Sequence, residues 1–161
     1  MKLLSITQLA YAHWFFGNLY EAVVHVPDRL ASEDQRLDSL MSPGSPVRYY
    51  LPGIPVLIGG TVAAAASGWK VRGERPWLVA LGSTTFAGLA ATVYLVQRVN
   101  RRLFVAGQPV EPAERERLLR MWYRLNLVRL AAAGAAMLIA ARLKEPGGGM
   151  TAHRGSRSKR L

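Results

Sequence analysis

Four long apolar stretches dominate the chain, and short charged segments containing proline or glycine separate them. The stretches cover about residues 3–26, 49–69, 76–96 and 118–143. Each is long enough for a helix that crosses a hydrocarbon layer of about 30 Å, which needs roughly 20 mainly apolar residues. The sequence therefore predicts an all-α fold in which four transmembrane helices form a bundle with short loops, in one domain of residues 1–144.

Two polar segments lie outside these stretches. The run 31–41 has the composition of a short interfacial helix with Ser32 as its N-cap. The last segment, residues 145–161, is rich in glycine, serine and arginine, and we expect it to be a disordered basic tail.

The net charge of +11 is high enough to raise the question of nucleic-acid binding. The basic residues, however, lie mainly in the loops and the tail beside apolar stretches, which favours attraction to anionic lipid headgroups. We therefore predict a multi-pass protein of the cell membrane that contacts lipid and binds no nucleic acid. Lysine and arginine are equally frequent on the two sides of the predicted bundle, so the orientation stays open, as does the oligomeric state.

Polar residues interrupt the first and fourth stretches. Asn18 and Glu21 lie in the first, and Asn126 and Arg129 lie one helical turn apart in the fourth. A charge at the centre of a spanning helix costs about 2.5–3.5 kcal/mol on insertion scales, so such residues face protein or a cavity. Because the two helices run antiparallel, Glu21 and Arg129 come to similar depths and can pair.

Aromatic residues accompany these polar groups and predict a pocket between the first and fourth helices. The polar set is Asn18, Glu21, Asn126 and Arg129, and the aromatic wall is Trp14, Tyr20, Tyr50 and Trp122. Apolar walls with a few convergent polar groups are typical of small-molecule sites. The same polar residues would also suit a purely structural contact between the helices, and the sequence leaves both readings open.

The histidines restrict the cofactors. His13 and His25 are separated by about 18 Å of helical rise, so they cannot bind one metal ion or one haem from both faces. Glu21 and His25 have metal-ligand spacing but lack a third ligand within the stretches, and the chain has no cysteine. We therefore predict neither a metal nor another cofactor. His13, near mid-helix, is either a hydrogen-bonded structural residue or a general base.

Three segments carry a resemblance to a known family. They are residues 14–21 (WFFGNLYE), 45–50 (SPVRYY) and 126–129 (NLVR). With them the chain resembles, over residues 3–143, a family of small four-helix integral-membrane proteins. Its characterised members are anthrone oxygenases, related to noranthrone monooxygenase of polyketide pathways.

The resemblance implies oxidation of an activated aromatic CH2 group by molecular oxygen, without flavin, haem or metal. His13 or Glu21 would then remove a proton from the substrate. Arg129 and Asn126 would stabilise the resulting anion, with Trp14, Tyr20 and Trp122 holding the flat rings. An apolar membrane pocket would suit both O2 and a hydrophobic aromatic molecule.

Two other function classes compete with the oxygenase. One is a non-catalytic membrane protein that binds or carries a lipophilic metabolite, and the other is a purely structural helical bundle. A binder would lose its ligand on mutation of the pocket without ever showing turnover. A structural bundle would lose its folded state instead.

Overall fold

The computed structural model describes residues 2–105, 107 and 109–144, with the backbone alone at 2, 3, 33 and 144. The predicted disordered tail, residues 145–161, lies outside the described residues. The described part of the chain is helical and contains no strand, which confirms the all-α prediction. Its one β-type contact is an isolated bridge between Leu37 and Val105.

The helices follow the apolar stretches. In chain order they are α1 (Lys2–Val23), α2 (Val26–Leu30), α3 (Pro46–Tyr50), α4 (Gly53–Gly68), α5 (Arg75–Tyr94), α6 (Arg101–Leu103) and α7 (Pro112–Lys144). A π-helical turn, Leu95–Asn100, joins α5 to α6. A single 3₁₀ turn, Glu33–Gln35, stands where residues 31–41 were expected to form a helix, so that prediction was wrong. Ser32 does precede this turn, but its hydroxyl donates back to the Arg29 carbonyl instead of capping it.

The helix ends are fixed by local chemistry. α1 ends before Pro27, which cannot donate the backbone hydrogen bond that a continuing helix needs. His25 turns the chain there with φ 53°, a left-handed conformation that is uncommon outside glycine. Ser45 caps α3, since its hydroxyl accepts a hydrogen bond from the Val47 N–H at 3.2 Å.

The four longer helices pack side by side. α1 contacts α4 and α7, and α5 contacts the same two helices from the other side. Small residues allow the close approach. A Cβ atom added to Gly88 in α5 would lie 2.5 Å from the Trp14 ring of α1 and 3.1 Å from Ala132 Cβ in α7. Ala133, Ala136 and Ala140 are buried along α7 in the same core.

Tyr11 ties three helices together in this core. It is fully buried, and its hydroxyl lies 2.5 Å from both Thr61 Oγ1 of α4 and Thr85 Oγ1 of α5. The two threonines also donate to the carbonyls of Leu57 and Leu81 within their own helices. The hydroxyl of Tyr11 therefore joins α1 to the α4–α5 pair through polar contacts inside an apolar core.

We expect Tyr11→Phe to lower the free energy of unfolding by about 1–2 kcal/mol, because it removes a buried hydrogen bond at almost constant volume. Thermal or denaturant unfolding of the purified protein measures the change. Tyr94→Phe is the matched control, since Tyr94 is 47% exposed. An equal loss in both variants would contradict the role assigned to Tyr11.

Two helical segments are long enough and apolar enough to cross a membrane, Arg75–Leu103 and Pro112–Leu143. Gly53–Gly68 is apolar but shorter, and Lys2–Val23 does not pass the same test within the described residues. The most apolar run of 18 residues is only 28% buried inside the protein in the first segment and 33% buried in the second. Two long apolar helices with such exposed surfaces indicate association with a membrane. The structure therefore supports two of the four transmembrane helices that the sequence predicts.

Candidate active site

A large open cavity of about 1030 Å³ lies between one face of α1 and residues 43–50. On α1 it is bordered by His13, Gly17 and Glu21, which lie one turn apart and therefore share a face. Tyr49 and Tyr50 of α3 form part of the opposite wall. A volume of this size is at the upper end of the range usual for small-molecule sites.

Gly17 allows α3 to approach α1 closely. A Cβ atom at this position would lie 2.7 Å from the Tyr50 hydroxyl and 3.1 Å from the Tyr49 ring. The first distance is shorter than real Cβ contacts and the second is tighter than most of them, so a larger residue would push Tyr50 away from α1. The Gly17–Tyr50 contact thereby determines where the aromatic wall stands relative to Glu21.

Glu21, Tyr50 and Arg129 form a buried polar group at the inner wall. Their exposed fractions are 6%, 7% and 4%. The guanidinium carbon of Arg129 lies 5.7 Å from the centre of the Tyr50 ring, and its charge attracts the Glu21 carboxylate. Glu21 also acts electrostatically on the Tyr50 hydroxyl, although the hydroxyl has no hydrogen bond of regular geometry in the described part of the chain.

The two charges are therefore brought together, but they do not form a direct ion pair within 4 Å in the described residues. Glu21 and Tyr50 border the cavity, whereas Arg129 does not. Arg129 thus lies behind the cavity wall and supplies a positive charge to it from α7.

The asparagines hold α1 against α7 beside this group. Asn126 donates from its side chain to the Asn18 carbonyl at 3.1 Å, and Asn18 donates to the Trp14 carbonyl at 2.6 Å. Asn18 is fully buried and Asn126 is 1% exposed. Within the described residues their side-chain oxygens have no hydrogen-bond partner, nor do Arg129 Nε and Trp122 Nε1. Buried polar atoms left over in this way are typical places for an ordered water or a ligand group.

His13 lies towards the other end of the cavity. Its Nδ1 atom is 3.4 Å from the Tyr49 hydroxyl, and its ring lies against those of Tyr49 and Tyr50 at centre-to-centre distances of 4.8 and 6.1 Å. The histidine is half-buried, so it reaches the cavity without being sealed in the core.

His25 belongs to a different contact. It lies 3.0 Å from the Tyr123 hydroxyl and 3.5 Å from the Asp28 carboxylate, and Tyr123 donates a hydrogen bond to Asp28. These three side chains join the turn after α1 to α7. No set of three metal-ligating side chains occurs in the described part of the chain.

The residues predicted from sequence fall into two groups. His13, Tyr20, Glu21 and Tyr50 border the cavity, while Trp14, Asn18, Trp122, Asn126 and Arg129 are buried beside it between α1 and α7. Sequence reasoning missed Gly17, Tyr49, Arg29 and Arg48 as parts of the wall. The capping pair Ser45-Pro46 does signal a helix start at α3, but nothing in the sequence signals that α3 packs on Gly17.

The sequence model described as "Anthrone oxygenase" matches residues 47–139, which is more than half of the chain. The chain belongs to the anthrone oxygenase family. The match includes Tyr50, Trp122, Asn126 and Arg129, whereas α1, with His13 and Glu21, lies before it. No curated protein and no solved structure is significantly similar to the chain. Membership of this family points to oxygenase-like chemistry.

Proposed function

We propose that this member of the anthrone oxygenase family is a membrane-embedded oxygenase that converts an activated CH2 group of a hydrophobic aromatic, polyketide-type molecule to a ketone with O2. The observation that carries the proposal is the position of Glu21. Its carboxylate lies in the wall of a large cavity, with the cationic Arg129 behind it and Tyr50 beside it. A base next to a fixed positive charge suits a reaction that passes through a carbanion or phenolate.

The reaction needs only proton transfers and O2. Glu21 or His13 takes one proton from the CH2 group, and the electron-rich anion forms a C–O bond with O2. The peroxide then recovers a proton, the second C–H proton is removed, and the O–O bond breaks with release of water. Each CH2 group and each O2 molecule thus give one carbonyl group and one water molecule, so the substrate supplies all the electrons and no cofactor is required.

The neighbouring residues have supporting roles in this proposal. Tyr20 and Tyr50 hold flat rings in the cavity, with Trp14 and Trp122 packed behind them. Arg129 stabilises negative charge from behind the wall. Asn126 and Asn18 fix α1 on α7, so that Glu21 keeps its direction towards the substrate.

A membrane location fits this chemistry. Large apolar side chains are exposed on α1, α4, α5 and α7, among them Ile6 (52%), Val62 (63%), Phe86 (74%) and Leu138 (67%). Lipid tails would cover these surfaces, while O2 and aromatic molecules concentrate in the same hydrocarbon layer. We therefore propose a multi-pass protein of the cell membrane whose partners are lipids, O2 and the aromatic substrate.

Oxygen uptake by the purified protein tests the proposal, with anthrone as the probe. The wild type should consume one O2 for each anthraquinone formed, well above the spontaneous rate. Ala12→Trp fills the cavity from α1 and should abolish the excess, whereas Val62→Trp, on the exposed face of α4, should retain it. Binding of anthrone without catalysed uptake would contradict the oxygenase and leave a carrier or binder of lipophilic metabolites.

A further inference from the structure

The cavity has one charged end and one apolar end. Three close contacts show how the chain from α3 to α4 runs along α1. They are Tyr50 with Gly17, Gly53 with His13, and Gly60 with Thr7. The chain thus runs antiparallel to α1, and Arg48 and the residues before it lie towards the Glu21 end. Arg29 of α2 borders the cavity at that same end. Leu9, Ala12 and Phe16 border it further along α1.

The two arginines lack acidic partners within the described residues. The ion pairs there are His25–Asp28, Arg102–Glu114 and Arg120–Glu116, so neither Arg29 nor Arg48 takes part. Asp28, next to Arg29 in sequence, is already held by Tyr123 and His25. Both arginines are exposed and border the cavity, so their guanidinium groups can contact an anion that enters it.

Glu21 does not cancel this positive charge. Among the described residues that border the cavity it is the one carboxylate, and the buried Arg129 attracts it from the other side. The charge balance at this end of the cavity is positive. A carboxylate in the cavity would supply these guanidinium groups with a counterion, which a neutral polycyclic molecule would not.

We infer that the cavity selects an aromatic carboxylic acid, whose carboxylate binds Arg29 and Arg48 while its rings lie along α1 past Glu21 towards Phe16. The inference rests on the proposed function for the aromatic nature of the ligand. Arginine forms strong, often bidentate hydrogen bonds with carboxylates, so the two residues would fix the direction of the molecule. The carbon that reacts would then lie beyond the acid group, opposite Glu21 or His13.

Binding of two fluorescent probes tests the inference in the full chain, held in phosphatidylcholine nanodiscs. The probes are anthracene-2-carboxylate and its neutral match anthracene-2-carboxamide, with empty nanodiscs as background. The wild type should bind the carboxylate at least about tenfold more tightly, as expected for charge-assisted hydrogen bonds. Arg29→Gln and Arg48→Gln should each reduce this preference and leave the binding of the carboxamide unchanged.

Arg98→Gln is the matched control. Arg98 is an exposed arginine beyond α5, is not among the cavity residues, and its change removes the same charge. The preference for the carboxylate should survive in this variant. An equal loss in all three variants would show attraction to the general surface charge and would overturn the inference, as would no loss in any of them.

A phospholipid headgroup offers the same anionic chemistry, and nanodiscs containing phosphatidylglycerol distinguish it. If the arginines serve a substrate, both probes should still bind there, and Arg29→Gln and Arg48→Gln should still lower the preference for the carboxylate. If phosphatidylglycerol displaces both probes in the wild type but not in the arginine variants, the site belongs to lipid and the inference fails. Arginine-dependent binding without oxygen uptake would refute only the oxygenase, whereas catalysed uptake without arginine dependence would refute only the inference.

Discussion

Glu21→Gln is expected to lower kcat by about 10²- to 10⁴-fold, the usual contribution of a positioned general base. The substitution keeps the size of the side chain but removes the group that accepts the proton. Glu21 is the candidate base that interacts electrostatically with the buried cation Arg129. Negative charge formed on the substrate beside Glu21 would therefore arise near a fixed positive charge. Steady-state oxygen uptake, normalised to folded protein, measures the effect.

His13→Gln provides the comparison, because His13 borders the same cavity but contacts Tyr49 and lies about 12 Å further along α1. We expect a much smaller loss of kcat, since the change affects ring packing more than proton removal. A large loss in His13→Gln with nearly normal turnover in Glu21→Gln would transfer the role of base to His13. Binding of the anthracene probes to both variants separates a lost reaction from a lost site.

The helical fold could be read from the sequence because its signals are local. Apolar stretches long enough for a helix, proline near helix starts and polar turns between them are properties of neighbouring residues. The segment 31–41 shows the limit: its composition suits a helix, yet the chain makes only one 3₁₀ turn there. Nearby, Leu37 donates instead to the Phe104 carbonyl at 2.7 Å, a tertiary contact that local propensity does not contain.

The site could be predicted only in part, because it depends on which helix packs against each face of α1. The contacts of Asn18 with Asn126 and of His25 with Tyr123 show that α1 and α7 run antiparallel, as expected. The cavity, however, lies on the next face of α1, where α3 packs. A helix of five residues is too short to show periodicity, so neither the position of Tyr49 nor that of Arg48 could be derived.

Tyr11 illustrates the same limit inside the core. In the sequence it is one aromatic residue in an apolar stretch, and Thr61 and Thr85 are unremarkable small polar residues. Only the packing of α1 against both α4 and α5 brings the three hydroxyl groups together. Polar contacts between residues so far apart along the chain leave no pattern in a single sequence.

Arg129→Met is expected to lower the free energy of unfolding by about 1–3 kcal/mol, because it leaves the buried Glu21 side chain without the cation that attracts it. Methionine fills much of the volume of the arginine stem, so the lost charge is the main change. The double variant Glu21→Gln/Arg129→Met removes both charges and should recover a large part of the loss. Denaturant titration in a mild detergent measures the free energy for the single and the double variants.

Arg124→Met controls for the loss of a positive charge from α7, since Arg124 is exposed on the same helix and should cost less than about 1 kcal/mol. The decisive quantity is the coupling between the two positions, because Glu21 and Arg129 act on each other without a direct ion pair. A coupling near zero, in which the loss in the double variant equals the sum of the losses in Glu21→Gln and Arg129→Met, would mean that Glu21 does not depend on Arg129. The positive charge of Arg129 would then have no assigned role in stabilising the fold or in the proposed reaction.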